Sequence, residues 1–331
     1  MNYKKTGWQL FDEYMLILNA LWFIIGPILT HFSDPRYGTD EVYQRRPGGG
    51  HKHKPLREYL NTILYVLITG MQWNAVLPNP ECGLLSGKAA HKWHMRLSRN
   101  GFYRELMIVI AEFFQLLYKY RMEWCSADCS LYKAPLALDV FGNNPTDRAK
   151  RGSKRSLIVD QDGLPLGFFI AGANQHDSKL LASTLENIFV AALKELAEKH
   201  LCLDKAYIGK AVQDILEQYG YEGHVQSRGE EKKEMEDDPD YEPKRWVVER
   251  TNGWYNCFRK LHTRYEKTSE SHEGLTYLAT MVMTIRTIFR SKEGVNIWAN
   301  DKPKPSQQMY EAVGYKLEHF LTKKGFEFAA C

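Results

Sequence analysis

The hydrophobic period of this chain changes near residue 121, and the change limits the folds that the chain can form. Upstream, apolar residues recur at helical spacing in segments such as 57–69 and 102–118. Downstream, residues 124–131 (WCSADCSL) alternate, which places Asp128 and every second residue on one face, as in a strand. We therefore predict a helical domain over residues 1–120 and a different domain, containing strands, after it.

The order of the predicted elements after residue 121 indicates a fold class. The turn Gln161-Asp162-Gly163 joins two short apolar runs and is typical of a β-hairpin. The predicted bounds are 124–131, 157–160 and 164–171 for three strands, then 177–199 (helix), 201–203 (strand), 210–218 (helix), 223–226 (strand), and 245–261 and 272–289 (helices). Antiparallel strands followed by α/β units give a mixed five-stranded sheet flanked by helices, which is the ribonuclease H-like α/β fold. This second domain covers residues 121–290, with a flexible acidic loop at 228–243, and a tail follows at 291–331.

Basic residues outnumber acidic ones once a single acidic segment is set aside. The formal net charge is +4, but residues 230–242 hold eight acids and only two lysines. The rest of the chain carries 42 Lys and Arg residues against 32 Asp and Glu residues. An excess of this size indicates a polyanionic partner such as double-stranded DNA.

The composition predicts a globular protein of the cytoplasm. Hydrophobic residues make up 44% of the chain and charged residues 25%, which are ordinary values for such a protein. The apolar run at 14–30 is interrupted by Asn19 and Pro27 and is shorter than the roughly 20 apolar residues of a membrane span, so we expect a buried helix and no membrane anchor. The six cysteines form no CxxC pair, as expected for reduced thiols.

Three acids occupy the positions from which a ribonuclease H-like sheet supplies metal ligands. Metal-dependent phosphoryl transfer requires carboxylates that converge on divalent cations. Asp128 lies on the first predicted strand, Asp204 ends the fourth, and Glu249 lies on a later helix. We expect these three side chains to meet closely enough to share a pair of cations. Among other acids, Asp177 is placed either to cap a helix or to line this site.

Three motifs surround these acids and carry a family resemblance. They are Asp128-Cys129-Ser130, Leu203-Asp204-Lys205-Ala206-Tyr207 and Arg245-Trp246-Val247-Val248-Glu249-Arg250-Thr251. They resemble the motifs of DDE transposases of bacterial insertion sequences, in the family five branch that is allied to the family four transposases. Segment 61–73 (NTILYVLITGMQW) is similar to the helical DNA-binding segment of that branch. The resemblance covers residues 20–290, with Cys129 and Asn256 standing where the family pattern expects Gly and Lys.

The resemblance implies a transposase that binds the terminal inverted repeats of an insertion sequence and catalyses metal-dependent DNA cleavage and strand transfer. Asp128, Asp204 and Glu249 would be both its catalytic residues and the ligands of two Mg²⁺ ions, with Mn²⁺ as a substitute. Its partners would be the element ends and target DNA. It would act as a homodimer or a larger synaptic assembly, because two DNA ends must be joined.

Two groups of basic residues are predicted to contact DNA. The first lies in a polar loop without intervening acids, and the second lies on or beside the helix of Glu249, where Arg259 and Lys260 fall about 15 Å along the same face. The nine residues are Arg148, Lys150, Arg151, Lys154, Arg155, Arg245, Arg250, Arg259 and Lys260.

Two functions of other classes stay open on the sequence alone. One is a non-catalytic DNA-binding regulator derived from a transposase. The other is a ribonuclease H-like nuclease that cuts DNA without strand transfer. A transposase cleaves DNA in the presence of metal, whereas the regulator does not. A transposase also forms a joined DNA product, whereas the nuclease does not.

Overall fold

The computed structural model describes residues 54–117, 120–225 and 246–290, together with residues 25, 26, 28 and 29. The predicted acidic loop at 228–243, the tail at 291–331 and most of the apolar run at 14–30 lie outside these residues. No helix in the described part of the chain is long and apolar enough to span a membrane.

The chain divides into two compact units. One comprises residues 1–113 with 274–331, and the other comprises residues 114–273. The predicted domain functions, with boundaries after residues 120 and 290, stay a prediction.

Helices α1 (Leu56–Thr69), α2 (Gly87–Arg99) and α3 (Phe102–Leu117) precede the sheet. Helix α1 ends where Gly70 adopts a left-handed conformation (φ 73°) and donates its N–H to Val66 O. Helix α2 begins after Ser86, whose hydroxyl accepts the Ala89 N–H. Apolar residues at helical spacing in α1 are fully buried, as their pattern predicts.

The second unit contains a mixed sheet. Its strands among the described residues are β1 (Trp124–Lys133), β2 (Gly142–Asn143), β3 (Arg151–Val159), β4 (Pro165–Gly172), β5 (His200–Leu203) and β6 (Glu222–Val225). Strand β1 is central, antiparallel to β3 and parallel to β5. Beyond them, β4 is antiparallel to β3 and β6 is parallel to β5. The short strand β2 pairs with the first residues of β3.

Helices flank this sheet. They are α4 (Asp177–Glu186), α5 (Lys210–Tyr219), α6 (Trp246–Asn256) and α7 (Arg259–His262), and α8 (Ser269–Arg290) follows them along the chain. Helix α4 packs on β3 and β4, and α6 packs on β1 and β3. The predicted mixed sheet flanked by helices is confirmed, with the two-residue strand β2 as an addition to the five predicted strands.

Three predicted bounds are wrong. Strand β3 begins at Arg151 instead of Leu157, because it pairs with β1 on one side and β4 on the other along most of its length. The helix predicted at 177–199 ends at Glu186, because Ile188 bridges to Gly167 and Phe189 donates its N–H to Leu166 O. The helix predicted at 245–261 is divided into α6 and α7 by the extended backbone of Phe258.

Candidate active site

Asp128 lies on the central strand, near three other carboxylates whose negative charges act on it. It pairs in register with Leu157 of β3, and its side chain is half-buried. Burial raises the pKa of Asp128 to about 6, and the negative charges of Asp204, Glu249 and Asp177 contribute in the same direction. The structure therefore brings the three predicted acids into one electrostatic neighbourhood, with a fourth beside them.

Asp204 follows the carboxyl end of β5, the parallel neighbour of β1. The register pairs Ser126 with Cys202, so two more residues along each strand lead to Asp128 and Asp204. The Asp204 carboxylate accepts the Ala206 N–H at 2.9 Å and caps the short helix Lys205–Tyr207. This cap fixes one carboxylate oxygen, so the orientation of the side chain is set by its own backbone turn.

Glu249 lies in the first turn of α6 and is exposed. Helix α6 is fastened to the sheet and to the β3–β4 turn by the residues that follow Glu249. Thr251 Oγ1 donates to Gly163 O at 2.5 Å, and Arg155 Nη2 of β3 donates to Asn252 Oδ1 at 3.1 Å. These bonds fix the position of the helix on which Glu249 lies.

The three acids do not form a closed ligand cluster in this arrangement. In the described part of the chain, the side chains whose ligand atoms all lie within 4.8 Å of one another are His200, Glu222 and His224. Like charges repel, so three carboxylates keep apart in the absence of a cation that compensates their charge. The predicted sharing of two cations stays a prediction.

Asp177 lies near the site and forms a partly buried ion pair with Lys154. Its Oδ1 contacts Nζ of Lys154, and the same Nζ donates to Gln175 O at 2.7 Å. The predicted capping role is wrong, because His176 is the residue before α4 and its ring accepts the Ser178 N–H. Asp177 therefore adds negative charge near Asp128, and Lys154 balances it.

The comparisons with known proteins agree with the motifs at these acids. Residues 201–286 match the sequence model of a family described as "Transposase DDE domain". Over 160 residues the chain is 29% identical to "Putative transposase for insertion sequence element IS402" of Burkholderia cepacia, covering 46% of this chain and 72% of that protein. Both matches support a DDE transposase of insertion sequences. The family match includes Asp204 and Glu249 and begins after Asp128.

Solved transposase structures are only distantly similar. "Crystal structure of the Mos1 Strand Transfer Complex" is 13% identical at a TM-score of 0.30, covering 88% of this chain and 83% of that one. "Crystal structure of a pre-cleavage Mos1 transpososome" is 13% identical at a TM-score of 0.29, covering 91% and 86%.

The side chains predicted to contact DNA differ in their exposure to solvent. Arg148, Lys150, Arg151 and Arg259 are exposed. Arg250 is half-buried, with its guanidinium 4.4 Å from the ring centroid of Trp246 and an Nη2 that donates to Asp162 O. Arg245 lies outside the described residues.

Lys154, Arg155 and Lys260 are buried, and each has a partner inside the protein. Lys154 pairs with Asp177, Arg155 donates to Asn252, and Lys260 Nζ lies 3.3 Å from Glu266 Oε1. The structure does not favour DNA contact by these three residues. The physical reason for the first two is the length of β3, which carries residues 151–156 into the sheet, where a polar loop was predicted.

Sequence reasoning missed Arg264, which organises one end of the sheet. Its guanidinium is fully buried and donates to Asp139 Oδ1 at 2.6 Å, Val140 O at 3.0 Å and Ser153 Oγ at 3.1 Å. Asp139 in turn accepts the Ser269 N–H at 2.7 Å. An arginine without a local motif gives no signal of this kind, since Asp139, Val140 and Ser153 are all more than 100 residues away in sequence.

Proposed function

We propose that this protein is a DDE transposase of the family five branch of insertion sequences, with Asp128, Asp204 and Glu249 as its catalytic acids. In this proposal it binds the terminal inverted repeats of its element, cuts DNA there and transfers the strand to a target. The observation that carries it is the placement of Asp128 and Asp204 on the neighbouring parallel strands β1 and β5, with helix α6, which carries Glu249, packed on β1. The strand order and directions support the ribonuclease H-like assignment.

The side chains at this site fit a divalent cation. Burial and three neighbouring carboxylates act against ionisation of Asp128, so the negative charge gathered here is not fully balanced within the site. Oxygen ligands of this kind are what Mg²⁺ and Mn²⁺ bind in proteins. Asp128, Asp204 and Glu249 would hold the metal, which when bound activates a water or hydroxyl nucleophile and stabilises the leaving oxygen.

Each acid has a distinct part in this proposal. Asp128, on the rigid central strand, sets the position of the site, and Asp204 is oriented by its bond to Ala206 N. Glu249, in the first turn of α6, supplies the third carboxylate. Arg155, Asn252 and Thr251 hold the helix of Glu249 on the sheet and act as positioning residues.

The exposed basic residues would bind the DNA backbone beside this site. Arg148 and Lys150 lie in the loop before β3, and Arg259 begins α7. Phosphate contacts of this kind fix the register of DNA without reading its sequence. Recognition of the terminal repeats would belong to the amino-terminal helices, and joining two ends would require at least two copies of the chain.

The experiment uses DNA that carries the inverted repeats flanking the gene. Asp128→Asn, Asp204→Asn and Glu249→Gln should each abolish Mg²⁺-dependent cleavage and keep DNA binding in a gel-shift assay. Asp214→Asn is the matched control, because Asp214 is an exposed acid on α5, and it should retain full activity. Full cleavage by any of the three variants removes that residue from the site.

The same assay decides between the transposase and the two other functions. A joined product together with nicked DNA supports a transposase, whereas nicked DNA alone indicates a nuclease. Binding without any metal-dependent cleavage by the wild-type protein indicates a regulator.

A further inference from the structure

A second cluster of metal-binding side chains lies at the opposite end of strand β5. His200 begins β5, and Glu222 and His224 lie on β6 beside it. The parallel register pairs His200 with Glu222 and Cys202 with His224. Residues two apart on a strand share a face, so all three side chains project from the same side of the sheet.

The distances among the ligand atoms match those of a metal site. His200 Nδ1 lies 3.0 Å from His224 Nε2 and 3.4 Å from Glu222 Oε2, and His224 Nε2 lies 3.8 Å from Glu222 Oε1. In a tetrahedral zinc site with bonds of roughly 2.0–2.1 Å, neighbouring ligand atoms are about 3.3 Å apart. The His200–His224 and His200–Glu222 separations lie within about 0.3 Å of this value, whereas the 3.8 Å contact with His224 is made by the other Glu222 oxygen.

The surrounding structure orders the two histidines. The Trp124 ring stacks on His200 with centroids 4.2 Å apart and 20° between planes, and lies 4.7 Å from His224. The backbone on both strands is fixed where the cluster begins, since His200 N donates to Glu123 O and Glu222 N donates to Lys199 O, each at 2.8 Å. A metal would therefore find its imidazole ligands already in place.

We propose that His200, Glu222 and His224 bind a divalent transition metal ion, with Zn²⁺ the best match to two imidazoles and one carboxylate. The ion would tie β6, at the edge of the sheet, to β5, and β6 leads along the chain toward α6 and Glu249. At least one coordination position is left for water or a further ligand.

This site is separate from the candidate active site. His200 and Asp204 are four residues apart, about 13 Å along an extended strand. The two sites also differ in chemistry, because imidazole ligands favour zinc-class ions, whereas three carboxylates favour Mg²⁺ or Mn²⁺. Occupation of one site is therefore independent of the ligands of the other.

The test measures Zn²⁺ binding to the full chain, freed of any polyhistidine tag and stripped with a chelator. We expect one tightly bound Zn²⁺ per chain, not displaced by Mg²⁺, and Co²⁺ should give the visible absorption of a four-coordinate site. His200→Gln and His224→Gln should weaken binding by at least about 100-fold, since outer-shell partners alone account for 10–100-fold. His262→Gln is the control, an exposed histidine on α7.

Two further variants separate the loss of a metal ligand from misfolding and from metal binding at the candidate active site. Glu222→Gln changes a side chain that is 69% exposed, so the fold is preserved and the loss of affinity reports the ligand alone. The triple variant Asp128→Asn, Asp204→Asn, Glu249→Gln should bind Zn²⁺ as the wild type does, which separates this site from the proposed function. The proposal is overturned if the wild type binds no stoichiometric Zn²⁺, or if the Glu222 and histidine variants bind it equally well.

Discussion

Arg155 reaches from strand β3 to helix α6, where its Nη2 donates to Asn252 Oδ1 at 3.1 Å. Its guanidinium also lies 3.8 Å from the ring centroid of Tyr255, one turn further along the same helix. Both Arg155 and Asn252 are buried. Because β3 is hydrogen-bonded to β1, this contact links the strand of Asp128 to the helix of Glu249.

Removing the Asn252 amide should weaken this link. Asn252→Ala leaves a buried guanidinium donor without its acceptor, which costs about 1–3 kcal/mol. We expect the free energy of unfolding in urea to fall by that amount and DNA cleavage to fall with it. Asn256→Ala, at an exposed position on α6, is the control and should change stability by less than about 0.5 kcal/mol. Equal stability of both variants would contradict this role of Arg155.

The raised pKa of Asp128 makes it a destabilising residue at neutral pH. Its pKa is about 6 in the folded protein against 3.8 for an ordinary Asp, so the folded state holds the proton more tightly. Protonated Asp128 therefore contributes to the stability of the folded state below about pH 4, and this contribution is lost as the pH rises through about 6. Without divalent metal, Asp128→Asn should exceed the wild type in stability by up to about 2–3 kcal/mol at pH 7.5.

Thermal unfolding at several pH values measures this effect. The advantage of Asp128→Asn should shrink to near zero at pH 4, while Asp214→Asn follows the wild type throughout. A stability difference between Asp128→Asn and the wild type that does not vary with pH would show that folding does not raise the pKa of Asp128.

DNA affinity should depend on the exposed basic residues and not on the buried ones. Each phosphate contact contributes about 0.9 to the slope of log affinity against log salt concentration. We expect Arg148→Gln and Lys150→Gln each to reduce the slope by up to that amount. Lys260→Gln, whose parent side chain pairs with Glu266 inside the protein, should leave the slope unchanged in folded protein. Fluorescence anisotropy over a range of salt concentrations measures the slopes. A reduced slope for Lys260→Gln would show that this buried residue contacts DNA, contrary to the prediction.

Local pattern predicted the mixed sheet and its flanking helices because each element depends on a few neighbouring residues. The alternation around Asp128 and the turn at 161–163 are signals of this kind. The burial of Lys154 and Arg155 was not predictable, because it follows from the pairing of β3 with strands on both sides. The Arg264 network and the histidine cluster were missed for the same reason, as their members meet only when distant segments are paired.

The most direct test of the central claim is Mn²⁺ binding, followed by the electron paramagnetic resonance signal of the free ion. Wild-type protein should bind Mn²⁺, and Asp128→Asn, Asp204→Asn and Glu249→Gln should each lose most of that binding. His200→Gln and Asp214→Asn should retain the binding. Unchanged Mn²⁺ binding by the three acid variants would contradict the account, because these acids would then not be the ligands of the metal.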